Sequence, residues 1–443
     1  MTKVPRLEVP QFHFPEPISI ATHNGAGILL VPMKTATTIS LAVVAREGYS
    51  TEPIGGLAAL TASLLVCGTR QRSEADFVRA IDRLGATIQP LMSAQKIGIE
   101  IVGLPEHLAE LVALGAECIL EPAFDPTEFE KAKTRLLSSF PLALSQSGYR
   151  AERIFSKLRF PNHPLSRPRN GTPTSVASIE CDQVRQWYQA ILREGKWHVL
   201  MIGAFDPATA SELLVRSFAT LGAGTRQQPT IAPDPPSAVG IGQGLLTEQV
   251  ELRLGVPTLP YTSDGYPAAL LASTAFAGHF RSRINLLVRE QQGLTYGAFG
   301  NLTAGKHTGT FILSTSTTPA NLPLMMTLLL EQWQRLATEP FTEDEIHAAR
   351  QFLYSSFWRS IETPDAIGSI AITLALDDLP PDYYTRLLTT LERLEPSHLL
   401  SVQEQVFAPA RLLIAAVGSL EHLQEVMARY GTPQHVLLEE EQQ

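Results

Sequence analysis

Arg289 and Tyr296 stand out for the chemistry they could do. They lie seven residues apart in the segment GHFRSRINLLVREQQGLTYGAFG (278–300). A guanidinium is permanently charged and offers a rigid fork of donors to carbonyls or a carboxylate. A phenol donates one hydrogen bond, suited to an oxygen that is gaining negative charge. Taken as residues alone, the two read as an exposed Arg and a half-buried Tyr on a helix-to-loop edge. Gly293, between them, reads as a backbone conformation that a side chain would forbid, and His279 reads as a turn residue. The rest of the chain is poor in reactive sets. Among its 11 histidines no two lie within four residues of each other, the nearest being His13 and His23, so no helical face offers two imidazoles to one metal. The 3 cysteines, Cys67, Cys118 and Cys181, are odd in number and far apart. They form neither a disulfide framework nor a zinc ribbon. Ser138-Ser139 and Ser355-Ser356 fall in helical patterns without an ordered His and Asp. GAGILL (25–30) lacks the Lys and spacing of a phosphate loop.

The elements that must position these residues come in duplicate. FDPTEFEKAKTRLLSSF (124–140) aligns without gaps on FTEDEIHAARQFLYSSF (341–357) at an offset of 217. Residues 179–205 match 394–420 at an offset of 215, each a capped helix and then an apolar run ending in Gly203 or Gly418. AALTASLLVCG (58–68) matches AALLASTAFAG (268–278) at an offset of 210. Three collinear matches with drifting offsets read as a duplication with loop insertions. The stretch 222–244, rich in Gly, Pro, Ser and Gln, reads as a linker, which sets the halves at 1–221 and 245–443. Within them, KIGIEIV (96–102) and TGTFILSTS (308–316) have strand patterning. Residues 105–120 carry one apolar helical face behind Pro105. Met325, Met326, Leu329 and Trp333, at helical spacing, read as core. Strand hairpins followed by helices, twice over, predict an α+β chain. Each half is expected to be an antiparallel-rich sheet covered by helices on one face.

Composition narrows the function further. Hydrophobic residues make up 44%, enough for large cores, while a net charge of −9 argues against a nucleic-acid binder. The N-terminal stretch MTKVPRLEVPQFHFPEP has no apolar h-region, no run is long enough to span a bilayer, and a reducing cytoplasm is the expected location.

The segment around Arg289 resembles the C-terminal signature of the M16 (insulinase and mitochondrial processing peptidase-like) metallopeptidases. The matching residues are Ser282-Arg283-Ile284, Arg289-Glu290, Gly293-Leu294 and Tyr296. REGYSTEPIGGLAALTASLLVCGT (46–69) resembles the family's zinc helix in Gly56, Ala58, Gly68 and Thr69, and RFPNHPLSRPRNGT (159–172) resembles its Pro-rich stretch. Together these cover roughly 15–430. The resemblance implies two homologous LuxS/MPP-like α/β domains. It also implies that Arg289 and Tyr296, with Gly293 between, are an "R/Y pair" that binds substrate and faces a zinc across a closed chamber.

The metal set itself departs from the family. In register, Ala59, Ala62 and Ser63 stand where His-x-x-Glu-His would be, Ser139 where the third ligand would be, and Ala132 where a supporting Glu usually sits. Alanine and serine do not hold catalytic zinc. The resemblance therefore implies a chain with no metal of its own and no peptidase activity alone. Its expected partner is a zinc-bearing His-x-x-Glu-His chain, in a heterodimer that takes peptides or unfolded segments. The competing expectation is an inert scaffold or peptide-binding subunit.

Overall fold

The computed structural model describes residues 17–439 apart from 21, 23, 24, 223, 225–233, 246, 247 and 363. The N-terminal stretch 1–16 and the middle of the expected linker lie outside the described residues.

The first half supplies β1 (Ile18–Ile20), β2 (Gly27–Pro32), β3 (Ile39–Ala45), β4 (Thr87–Met92), β5 (Ile97–Gly103) and β6 (Trp197–Gly203). The second supplies β7 (Ala238–Gln243), β8 (Val250–Thr258), β9 (Ala298–Ala304), β10 (Gly309–Thr317), β11 (Leu413–Gly418) and β12 (Pro433–His435). They form two six-stranded sheets, ordered β1-β2-β6-β3-β5-β4 and β12-β7-β11-β8-β10-β9. In each sheet one inner pair is parallel, β2 with β6 and β7 with β11. From there to the far edge every pairing is antiparallel. The chain is thus α+β with two matching antiparallel-rich sheets. Only the outermost strand differs, β1 running antiparallel to β2 and β12 parallel to β7.

Strands β3, β6 and β11 are buried along their whole length. Strands buried without a break belong in sheets covered on both faces, and both sheets are covered that way. One face carries the main helical layer, with Trp197 in the first core and Trp333, Phe311 and Phe407 in the second. Among the described residues, the other face is covered chiefly by a helix supplied by the opposite half. Helix Ser147–Arg159 lays Ala151, Ile154 and Phe155 on Leu413, Ala415 and Val417 of the second sheet. Helix Pro364–Leu376 lays Ile367, Ile370, Ala371 and Leu374 on Ala42, Val44, Leu200 and Ile202 of the first. The expected one-sided cover therefore describes the main layer, and the exchange supplies the second.

The exchange also corrects the linker reading. Residues 238–243 of that stretch are β7, an inner strand. Its glycines answer to packing, because a Cβ on Gly240 or Gly242 would meet Ile154 at 2.8 or 2.5 Å. No described helix is long and apolar enough to cross a membrane.

Candidate functional site

The Arg289–Tyr296 segment is built on irregular backbone. Helix Tyr266–Ser273 runs into a π-helical turn, Thr274–Gly278, and a short helix Arg283–Asn285 runs into a second one, Leu286–Gln291. Widened turns of this kind are rare and favour functional sites. Ile284, Val288 and Leu294 anchor the segment in the core. Arg283 is structural: its guanidinium makes two hydrogen bonds to Glu345, at 2.6 and 2.9 Å, and lies 4.2 Å from the Phe341 ring. Gly293 closes the second turn at φ 61 with open space around it, so the left-handed backbone alone calls for glycine.

Arg289 and Tyr296 reverse the exposures expected of them. The Arg289 guanidinium lies over the half-exposed Phe280 ring, 3.9 Å from its centroid, and its Nε is 3.7 Å from a Glu290 carboxylate oxygen. Tyr296 is 94% exposed, and its hydroxyl has no partner among the described residues. The loop beneath it is nevertheless pinned. Thr317 donates to the Leu294 carbonyl (2.9 Å), Thr315 to the Gly297 carbonyl (3.0 Å), and the Gly297 N–H to the Thr295 hydroxyl (3.2 Å). Two residues on, the Ala298 N–H donates to the side-chain oxygen of Asn285 at 3.0 Å. The structure therefore sets both residues on one segment, with a fixed backbone under a free phenol. The two side chains do not hydrogen-bond to each other.

Sequence reasoning missed Phe280, Asn285, Thr315 and Thr317. The one available signal was Asn285, a poor helix former placed between Ile284 and Leu286. His279 keeps its turn role, stacked on Phe352 with ring centroids 5.6 Å apart. Burial, aided by Arg281, holds its pKa below the ordinary imidazole value.

In the first half, helix Leu57–Leu64 carries Ala59, Ala62 and Ser63 and packs on helix Pro126–Ser145, which carries Ala132 and Ser139. The donor set does not fit zinc. Ala59, Ala62 and Ala132 have no ligand atom. The Ser63 hydroxyl is spent on the Leu60 carbonyl at 2.8 Å and that of Ser139 on the Leu136 carbonyl at 2.7 Å. Among the described residues no three His, Cys, Asp or Glu are placed to hold a metal ion. The first helix is capped instead by buried Glu52, whose carboxylate accepts from the N–H groups of Gly56 (3.0 Å) and Ala58 (2.7 Å). Burial pushes the Glu52 pKa up to about 7 against the pull of those bonds.

Residues 29–166 match the family model described as Insulinase (Peptidase family M16), and 178–353 match that of the Peptidase M16 inactive domain. An "uncharacterized zinc protease" of Streptomyces coelicolor is 23% identical over 355 residues, covering 78% of this chain and 77% of that one. The "non-peptidase homolog YmxG" of Helicobacter pylori is 22% identical, covering 76% and 79%. The crystal structure of a peptidase M16 inactive domain from Pseudomonas fluorescens superposes with a TM-score of 0.83 at 19% identity, covering 91% of this chain and 98% of that one. With both models matched in order and the same fold over most of the chain, the chain belongs to the M16 peptidase family, residues 178–353 matching its inactive-domain model.

Proposed function

We propose that this chain is the non-zinc subunit of a heterodimeric M16 peptidase and serves a partner's zinc site with Arg289 and Tyr296. The observation that carries the reading is the contrast at Tyr296, a free, almost fully exposed phenol on a loop held by side-chain hydrogen bonds. An exposed aromatic with no partner loses solvation and entropy when it binds, so a rigid base favours its use. Arg289 grips substrate carbonyls or a terminal carboxylate. Tyr296 donates to the oxygen that gains charge when the peptide carbonyl is attacked. The zinc and its His-x-x-Glu-His helix belong to the partner chain, and substrates are peptides or unfolded segments that fit between the two. Gly293 lets the chain turn from the arginine to the tyrosine. The domain limits proposed on this reading are 1–221 and, with β7 joined to the range read from sequence, 238–443, with helices Ser147–Arg159 and Pro364–Leu376 crossing between them.

The test is co-expression with a zinc-bearing M16 chain, purification of the pair and a zinc-dependent peptide assay. Tyr296→Phe should lower kcat by about 10²–10³ and leave thermal stability unchanged. Undiminished turnover by that variant defeats the proposal. The inert-scaffold reading finds support in the name "non-peptidase homolog" given to one relative. Absence of peptide binding and of any zinc-bearing partner favours it.

A further inference from the structure

We propose that Asn285 is the positioning residue that sets Arg289 and Tyr296 in register. The inference rests on the reading of those two as a pair acting at a partner's site. Asn285 is fully buried, and both ends of its amide are used. Its nitrogen donates to the Phe280 carbonyl at 2.8 Å, and its oxygen accepts from the Ala298 N–H at 3.0 Å. Phe280 carries the ring on which the Arg289 guanidinium rests. Ala298 opens β9 two residues after Tyr296. One side chain therefore joins the arginine's platform to the tyrosine's loop.

Few residue types can make this tie. It needs a donor and an acceptor on one short planar group. An apolar residue of similar size would leave the Ala298 N–H without its partner in a buried place, a costly state. Aspartate keeps the acceptor and loses the donor. Asparagine is also a poor choice inside a helix on propensity, and the two bonds give its presence a reason. Thr315 and Thr317 hold the same loop from β10, but neither reaches the Phe280 turn. Asn285 alone among these residues spans both.

Hydrogen exchange on the full chain tests the tie without a partner. In the wild-type protein the Ala298 amide and the Asn285 side-chain amide should exchange slowly despite their closeness to exposed Tyr296. Rapid exchange of both overturns the proposal whether or not any variant folds. In Asn285→Ala, exchange should rise by at least about tenfold over 294–298 and stay unchanged over 325–333 in the core. An equal rise in both regions marks a merely structural residue and overturns the proposal. Phe280→Leu, at a half-exposed site that tolerates change, should abolish the ring-current shift of the Arg289 Nε proton and leave the Ala298 amide protected. Asn285→Asp should weaken that shift while Ala298 stays protected. In the assembled pair, Asn285→Ala should lower kcat about tenfold with KM changed by less than about twofold. A raised KM at unchanged kcat contradicts positioning. Lack of turnover by the wild-type pair would remove the trans-acting role and leave the exchange experiment to decide the tie.

Discussion

The stretch after β3 and the stretch after β8 hold the same place in their sheets and are built differently. After β3 come two regular helices, Leu57–Leu64 and Glu74–Arg83. The second starts at Ser73, whose hydroxyl accepts from the Asp76 N–H, and ends before left-handed Gly85. After β8 the corresponding helices each run into a π-helical turn, and the second ends before left-handed Gly293. The regular stretch offers alanines and self-bonded serines. The irregular one turns Phe280, Arg289 and Tyr296 outward. The duplicated scaffold thus keeps regular helices after β3 and widens the corresponding helices after β8 into π-helical turns.

The exchanged helices give the sharpest way to ask how alike the halves are. Ile154 and Leu374 are buried on opposite sheets, each on a helix from the other half. Ile154→Ala and Leu374→Ala should each lower stability by about 2–5 kcal/mol. Since each helix ties one half to the other, both variants should shift a single unfolding transition. Two separated transitions in a calorimetric scan would show that the halves fold apart and that the exchange is a loose contact.

A second experiment sets Glu52 against His198, buried groups whose pKa shifts make stability vary with pH in opposite senses. His198 sits on the sheet face under helix Pro364–Leu376. Burial, with Lys196 and Arg46 nearby and Asp378 opposing, lowers its pKa to about 4. Unfolded, it takes up a proton at its ordinary pKa. Stability is therefore lost as pH falls from about 6.5 to about 4, by up to roughly 3 kcal/mol. Glu52, raised to about 7, behaves in reverse. Its folded form holds a proton that the unfolded form releases, so stability is lost as pH rises from about 4.5 to about 7, by a similar amount. Denaturant titrations from pH 4.5 to 6.5 should show a steeper rise of stability with pH in Glu52→Gln and a fall in His198→Gln. Parallel curves for the two variants would refute both assignments.

What could be read from the sequence follows from range. Alternation placed β5, and β-branched and aromatic composition placed β10, because both are written in neighbouring residues; Met325, Met326, Leu329 and Trp333, read from helical spacing, proved fully buried for the same reason. The duplication gave the two sheets. The helix exchange was hidden because Ile154 meets Gly240 and Gly242 across a long stretch of chain, and those glycines read alone look like a flexible joint. At the site, motif spacing singled out Arg289 and Tyr296, while the residues read alone gave their exposures the wrong way round. Only contacts separate Arg283, locked to Glu345, from Arg289, resting on Phe280. Asn285 showed itself only as a poor helix former, because both its partners are backbone atoms, which carry no sequence signal.

The smallest effect tests the point where the halves meet. Each exchanged helix is followed by a left-handed residue, Asn162 at φ 57 in the first half and Asp378 at φ 54 in the second. Asparagine and aspartate are the non-glycine residues that tolerate this backbone best. The charges differ. Asp378 receives Lys196 and Lys306, each at 2.8 Å, and Arg46 at 3.5 Å, and so joins the loops at strand ends of both halves. Burial pushes its carboxyl up, but the bonds and charges of Lys196 and Lys306 outweigh that and hold it down at about 2. Asp378→Asn makes the second turn like the first, keeps the backbone and removes the charge. Because the side chain is half-exposed, the loss should be about 1 kcal/mol or less and should shrink as salt is raised. A loss several times larger and insensitive to salt would mean that this cluster, and not the exchanged helices, holds the two halves together.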